Sequence, residues 1–164
     1  MALTATFWIM AVIVIAAALA VVFLRNVFRA ALALILCFIA VAGLYITLSA
    51  DFLAAVQILV YVGAISVLII LAVMMTREVQ RGSPRNKLEI PALIVAAVLL
   101  GLLIYSVTAS PWNISSEPPL SPTTQPLAAL LFSENGFILP VEIGATLLLA
   151  AILGAIVIAR EKDK

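Results

Sequence analysis

Carboxylates inside apolar sequence are the first residues to examine for chemistry. An ionisable group there is costly and commonly moves protons or pairs with another charge. Asp51 stands at the head of one apolar run and Glu142 lies near the start of another. No second carboxylate, lysine or histidine sits in the middle of any apolar run, and histidine is absent from the chain. Without such partners the chain is not expected to carry ions alone. Asp51 is expected to be the N-cap of the helix that follows it. Glu142 follows Pro140, and proline is favoured at a first helical position. Two readings of Glu142 are open: a first-turn carboxylate held at headgroup level by the helix dipole, or a proton-relay or inter-subunit contact. Cys37 is the one cysteine. It sits among apolar residues and reads as an inert buried thiol. One cysteine and no histidine exclude an intrachain disulfide and leave no ligand set for zinc, haem or an iron–sulfur cluster.

The neutral polar residues are more informative. In the run from Asp51 to Ile70, Gln57, Tyr61, Ala64 and Leu68 fall on one face at the α-helical spacing. Gln57 and Tyr61 bring hydrogen-bonding groups into apolar surroundings and so point that face at protein or water. Gly63 and Ser66, three residues apart, make a second face of small residues that admits a neighbouring backbone. Gly63 also stands in mid-run beside an aromatic, where a π-bulge can enter a helix. Such a bulge, forming and relaxing, would turn the following half of the helix by about 100°. Simple close packing is the other use of Gly63. Gly144, Ala151 and Ala155 form a similar stripe in the last run, although alanine is common in such helices.

The elements that must position these residues follow from composition. The chain has 164 residues, 66% hydrophobic and 10% charged, against about half and a quarter in soluble domains. Five apolar runs stand out: Leu3–Leu24, Phe28–Ser49, Phe52–Met75, Ile90–Ala109 and Phe137–Ala159. Each has about the 20 residues a helix needs to cross a bilayer. A helix bonds every backbone group internally, and continuous runs do not fit the alternating pattern of a β-barrel. The expected fold class is an all-α integral membrane protein, residues 1–164 forming a single membrane domain of five transmembrane helices. The first run has no positive residue ahead of it, which fits a retained span better than a secretory signal.

Charge sets the orientation. Arg25 and Arg29 lie between the first two runs; Arg77, Arg81, Arg85 and Lys87 lie between the third and fourth; Arg160, Lys162 and Lys164 form the tail. An outside N-terminus and a cytoplasmic C-terminus place all nine basic residues on the cytoplasmic side. Very short connections at Arg25–Val27 and Ala50–Asp51 make the first three spans antiparallel neighbours. The extracytoplasmic segment 110–136 holds Pro111, Pro118, Pro119, Pro122 and Pro126 and is expected to resist regular structure. It either drapes over a neighbouring subunit or is a mobile surface loop. A net charge of +1 with no basic patch gives no reason to expect nucleic acid.

The run DFLAAVQILVYVGAISVLIIL, with Met74 and Met75 beyond it, closely resembles the third helix of the J-subunit family of respiratory complex I. The segments RNVFRAALALILCFIAVAGLYITLSA and ENGFILPVEIGATLLLAAILGAIVIAR resemble its second and fifth helices. The fourth run and the proline-rich segment carry no recognisable signature. The resemblance implies a membrane-arm subunit of a proton-translocating NADH:quinone oxidoreductase of the bacterial cell (inner/plasma) membrane, without catalytic residues of its own. It implies that the chain binds no cofactor, while the complex uses FMN, iron–sulfur clusters and a quinone. It implies partners in the quinone-site subunit, a small proximal subunit and the antiporter-like subunits, besides membrane lipid. It further implies a third helix that switches between α and π forms, with Tyr61, Val62, Gly63 and Ala64 marking the bulge, Gln57 and Leu68 on the same helix, and Glu142 matching a fifth-span carboxylate. Glu78 and Glu89 align too weakly to carry anything over. Two other readings stand beside this one. The chain could serve a related membrane-bound hydrogenase, ferredoxin-dependent complex or multisubunit cation/proton antiporter. It could also be a stand-alone small-solute transporter, although duplicated halves and broken polar helices at mid-membrane are missing.

Overall fold

The computed structural model describes residues 2–76, 89–112, 122–133 and 136–160. Arg77, Arg81, Arg85, Lys87, Lys162 and Lys164, with Glu78, lie outside the described residues. The elements are α1 (Ala2–Phe23), α2 (Val27–Thr47), α3 (Asp51–Val56), a π-helix (Gln57–Ile65), α4 (Ser66–Met75), α5 (Glu89–Ala109), α6 (Thr124–Phe132) and α7 (Ile138–Ala159). α3, the π-helix and α4 run on without a break, so five helices are long and apolar enough to cross a membrane.

α1, α2 and the third span form a row with α2 in the middle. α2 packs on α1 along one side and on α3, the π-helix and α4 along the other. The buried apolar residues are all alanines: Ala17 of α1, Ala31, Ala40 and Ala42 of α2, and Ala54 of α3. Small side chains let helix axes approach, and dispersion between close backbones replaces the hydrophobic effect that lipid cannot supply. Cys37 is half-buried and donates its thiol to the Val14 carbonyl of α1 across 3.8 Å. At Gly43 a Cβ would meet the Met10 sulfur at 3.0 Å, so the Met10 side chain of α1 lies directly on the α2 backbone there.

The connections are capped. Asn26 precedes α2, and its side chain accepts from the Arg29 N–H at 3.2 Å. α2 ends in a two-bond turn: Ser49 N–H donates to the Ile46 carbonyl and Ala50 N–H to the Tyr45 carbonyl. This is the Schellman arrangement, which needs a left-handed residue at its centre. Here that residue is Ser49, at φ 58°, where glycine is usual. Ser49→Gly is therefore expected to stabilise the α2–α3 corner by about 1 kcal/mol, and Ser49→Val to destabilise it by at least as much. Thermal unfolding of the detergent-solubilised chain reads both.

α5 and α7 stand apart. Every described side chain of α5 is exposed, and α7 has no buried residue and makes its main contact, among the described residues, with α6. The stripe of Gly144, Ala151 and Ala155 therefore meets no partner among the described residues. Two expectations are corrected. Within 110–136 a helix forms, α6. Pro126 falls in its first turn, where backbone N–H groups have no helical acceptor to lose, and an apolar stretch follows. In α7 the helix begins at Ile138 with Phe137 as N-cap, so Pro140 is its third residue and Glu142 its fifth. Proline is tolerated through that whole first turn, so its position did not mark the start. Glu142 lies beyond the first turn, exposed, and its carbonyl accepts from the Thr146 hydroxyl at 2.9 Å.

Candidate functional site: a π-helix in the third span

Tyr61, Val62, Gly63 and Ala64 all lie within the π-helix Gln57–Ile65, and Leu68 lies one turn beyond it in α4. The flanking residues keep ordinary helical angles, φ −62° and ψ −41° at Val56 and φ −63° and ψ −40° at Ser66. The helix thus changes its winding without breaking. At its downstream end the Ser66 N–H reaches back five residues to the Tyr61 carbonyl, and the Ser66 hydroxyl donates to the same oxygen at 2.7 Å.

The winding decides which side chains meet α2. An i→i+5 helix has about 4.4 residues per turn, roughly 82° per residue, against 100° for an α-helix. In a straight α-helix Gln57 and Ser66 would point about 180° apart. Through the π segment they come within about 40° of each other. Both are buried in the row of spans, Gln57 at 7% exposure and Ser66 at 2%. The same arithmetic corrects the sequence reading. Leu68, expected on the Gln57 face, is turned away by roughly 240° and is 64% exposed. Gly63 and Ser66, expected to share a packing face, separate into an exposed and a buried position. Among the described residues a Cβ at Gly63 would meet the Ile58 carbonyl of its own helix, at 3.5 Å, and no neighbouring helix.

Gln57 and Tyr61 do come together. With Tyr45, Phe52, Leu53 and Val56 they line an open cavity of about 200 Å³ between α2 and the third span. That space is large enough for a small cluster of waters. The amide of Gln57 and the ring hydroxyls of Tyr45 and Tyr61 are hydrogen-bonding groups of the kind such waters need. The Tyr61 ring also meets Phe38 of α2 edge to face, with centroids 5.4 Å apart. Ala64 and Leu68 do not line this cavity.

Asp51 is not the N-cap; that position belongs to Ala50, which has no side-chain bond. The Asp51 carboxylate reaches across the chain and accepts from the Thr123 N–H at 3.0 Å. The Thr123 hydroxyl in return accepts from the Phe52 N–H at 3.4 Å. Two helix starts each supply the acceptor for the other's free N–H. Sequence reading had no access to Tyr45, Phe38 or Thr123, which arrive from elsewhere in the chain. Ser66 was read as a small packing residue beside Gly63, and its pairing with Tyr61, five residues back, follows only from π spacing.

Five helices long and apolar enough to cross a membrane define a multi-pass membrane protein, and among the described residues the spans of α5 and α7 bury nothing. Comparison with known proteins agrees. The family model for NADH-ubiquinone/plastoquinone oxidoreductase chain 6 matches residues 17–158, and the chain belongs to that family. It is 38% identical to F(420)H(2) dehydrogenase subunit J of Methanosarcina mazei over 161 residues, covering 96% of this chain and 90% of that protein. It is 39% identical to NAD(P)H-quinone oxidoreductase chain 6 of Leptolyngbya boryana over 160 residues, 96% of this chain and 79% of that one. It is 40% identical to the chloroplastic NAD(P)H-quinone oxidoreductase subunit 6 of Nephroselmis olivacea over 150 residues, 88% and 85% of the two chains.

Proposed function

We propose that this chain is a membrane-arm subunit of a proton-translocating NADH:quinone oxidoreductase, and that it couples quinone reduction to proton pumping by changing the winding of its third span. The observation that carries the reading is the π-helix Gln57–Ile65 beside the cavity lined by Tyr45, Gln57 and Tyr61. π-helices are rare, appear mostly as single-turn bulges and concentrate at functional sites. Relaxation toward α winding carries residues downstream of the π segment around the axis and redraws the wall of the cavity. Waters held by Gln57, Tyr45 and Tyr61 are then joined to, or cut off from, proton-carrying groups in neighbouring subunits. Glu142 is a membrane carboxylate such a path can use.

The electron-transfer chemistry belongs to other subunits. One cysteine and no histidine supply no ligand set for an iron–sulfur cluster, and the Cys37 thiol is engaged with Val14. FMN, the clusters and the quinone site are assigned to partner subunits. The bare flanks of α5 and α7 suit the quinone-site, small proximal and antiporter-like subunits as neighbours. The relatives' names include both F(420)H(2) and NAD(P)H as donors. That favours, as a second reading, a related complex with another donor, served by the same kind of membrane subunit. By the positive-inside rule, Arg25, Arg29 and Arg160 face the cytoplasm of a bacterial cell, with the N-terminus outside.

Gentle detergent extraction through a tag on this chain tests the assignment. The expected product is a particle many times the 17.4 kDa of the chain, containing flavin- and cluster-bearing subunits. Recovery of the chain alone, active in solute uptake, would instead support an independent transporter.

A further inference from the structure

The reciprocal bonds between the start of α3 and Thr123 are not used by the mechanism above. A change of winding within residues 57–65 requires one end of the third span to turn relative to the other, and local geometry decides which. At the Asp51 end three constraints converge. The Ser49 turn joins α3 to α2 through the bonds of Ser49 and Ala50 to the Ile46 and Tyr45 carbonyls. The Asp51 carboxylate holds the Thr123 N–H, and the Thr123 hydroxyl holds the Phe52 N–H. Phe52 also lines the cavity, so the same residue belongs to the tie and to the cavity wall. At the other end α4 packs on α2, but its last residues stand clear of it, Met74 68% and Met75 85% exposed, and among the described residues its end is bonded through the Thr76 N–H and hydroxyl to Ala72 of its own last turn.

We propose that Asp51 and Thr123 are positioning residues that anchor the third span against rotation at its α3 end, so that a change of winding is delivered to α4. This rests on the switching reading above. Thr123 is the residue before α6, so the anchor also ties the segment containing α6 to the span that changes its winding. A charged acceptor makes the Asp51 bond the stronger of the two.

Hydrogen exchange on the intact detergent-extracted complex tests the anchor without reference to activity. Asp51→Ala is expected to speed exchange of the Thr123 amide by about tenfold or more. Thr123→Val, close in shape but without an acceptor, is expected to do the same to the Phe52 amide, and Thr123→Ser to restore it. Unchanged exchange in both variants overturns the anchor. Protons translocated per electron pair are then measured in the same preparations. The expected result is a loss in Asp51→Ala and Thr123→Val and recovery in Thr123→Ser. No loss in Asp51→Ala, where Gly63→Val does show one, overturns the anchoring role alone. No loss in either variant overturns the switch as well, and the anchor with it.

Discussion

Gly63→Val should leave the complex assembled and electron transfer to quinone running, but cut proton translocation about tenfold, the effect of roughly 1.4 kcal/mol on the winding equilibrium. The position decides the substitution's meaning. Gly63 lies in the middle of the π-helix, and a Cβ there finds only the Ile58 carbonyl at 3.5 Å. Alanine therefore fits either winding and should pump close to normally. Valine adds a branch stiff at χ1 and crowded against the preceding turn. It cannot serve two windings that place that turn differently. Proton uptake and quinone reduction measured together in sealed vesicles read the result. If Gly63→Val pumps as the wild type does, the third span has no winding to change.

Ser66→Leu carries the second large effect, and in the opposite structural sense. In π winding Ser66 is 2% exposed against α2. Leucine there overfills a close helix contact, at a cost of about 1–3 kcal/mol. In α winding, position 66 swings away from the side that Gln57 faces, and the extra bulk meets less. The variant is expected to shift the population toward the α form by about 5- to 150-fold, seen as the ratio of the two windings among imaged particles of the complex. Ser66→Ala keeps the volume small and is the control. It loses the bond from the Ser66 hydroxyl to the Tyr61 carbonyl. That loss is partly offset, because in α winding a serine hydroxyl bonds the carbonyl four residues back. A π population unchanged by leucine would mean that contact with α2 does not select the winding.

The two variants separate parts of one idea. Gly63 tests whether the segment can change, and Ser66 tests what holds it where it is. Both are silent about the electron donor. Asp51 and Thr123 add where the motion goes.

Much of this protein was legible without coordinates. Apolar runs of about twenty residues can satisfy their backbones in lipid only as helices, so five membrane-length helices followed from composition and length. Short connections made the first three spans neighbours, and the row α1–α2–third span is the result. The residue types around Gly63 were enough to suggest a bulge. Its extent, and therefore the facing of every side chain from Gln57 onward, was not. An angular error of about 18° per residue accumulates over the π segment until Leu68 and Ser66 exchange sides. Asp51 and Glu142 show the other limit. Sequence placed each near a helix start, but their partners and depth depend on where the helix begins and on what arrives from elsewhere in the chain. Local pattern determines that a segment is helical and apolar. Winding and cross-chain contact are settled by packing, because local pattern does not say which neighbour each turn will meet.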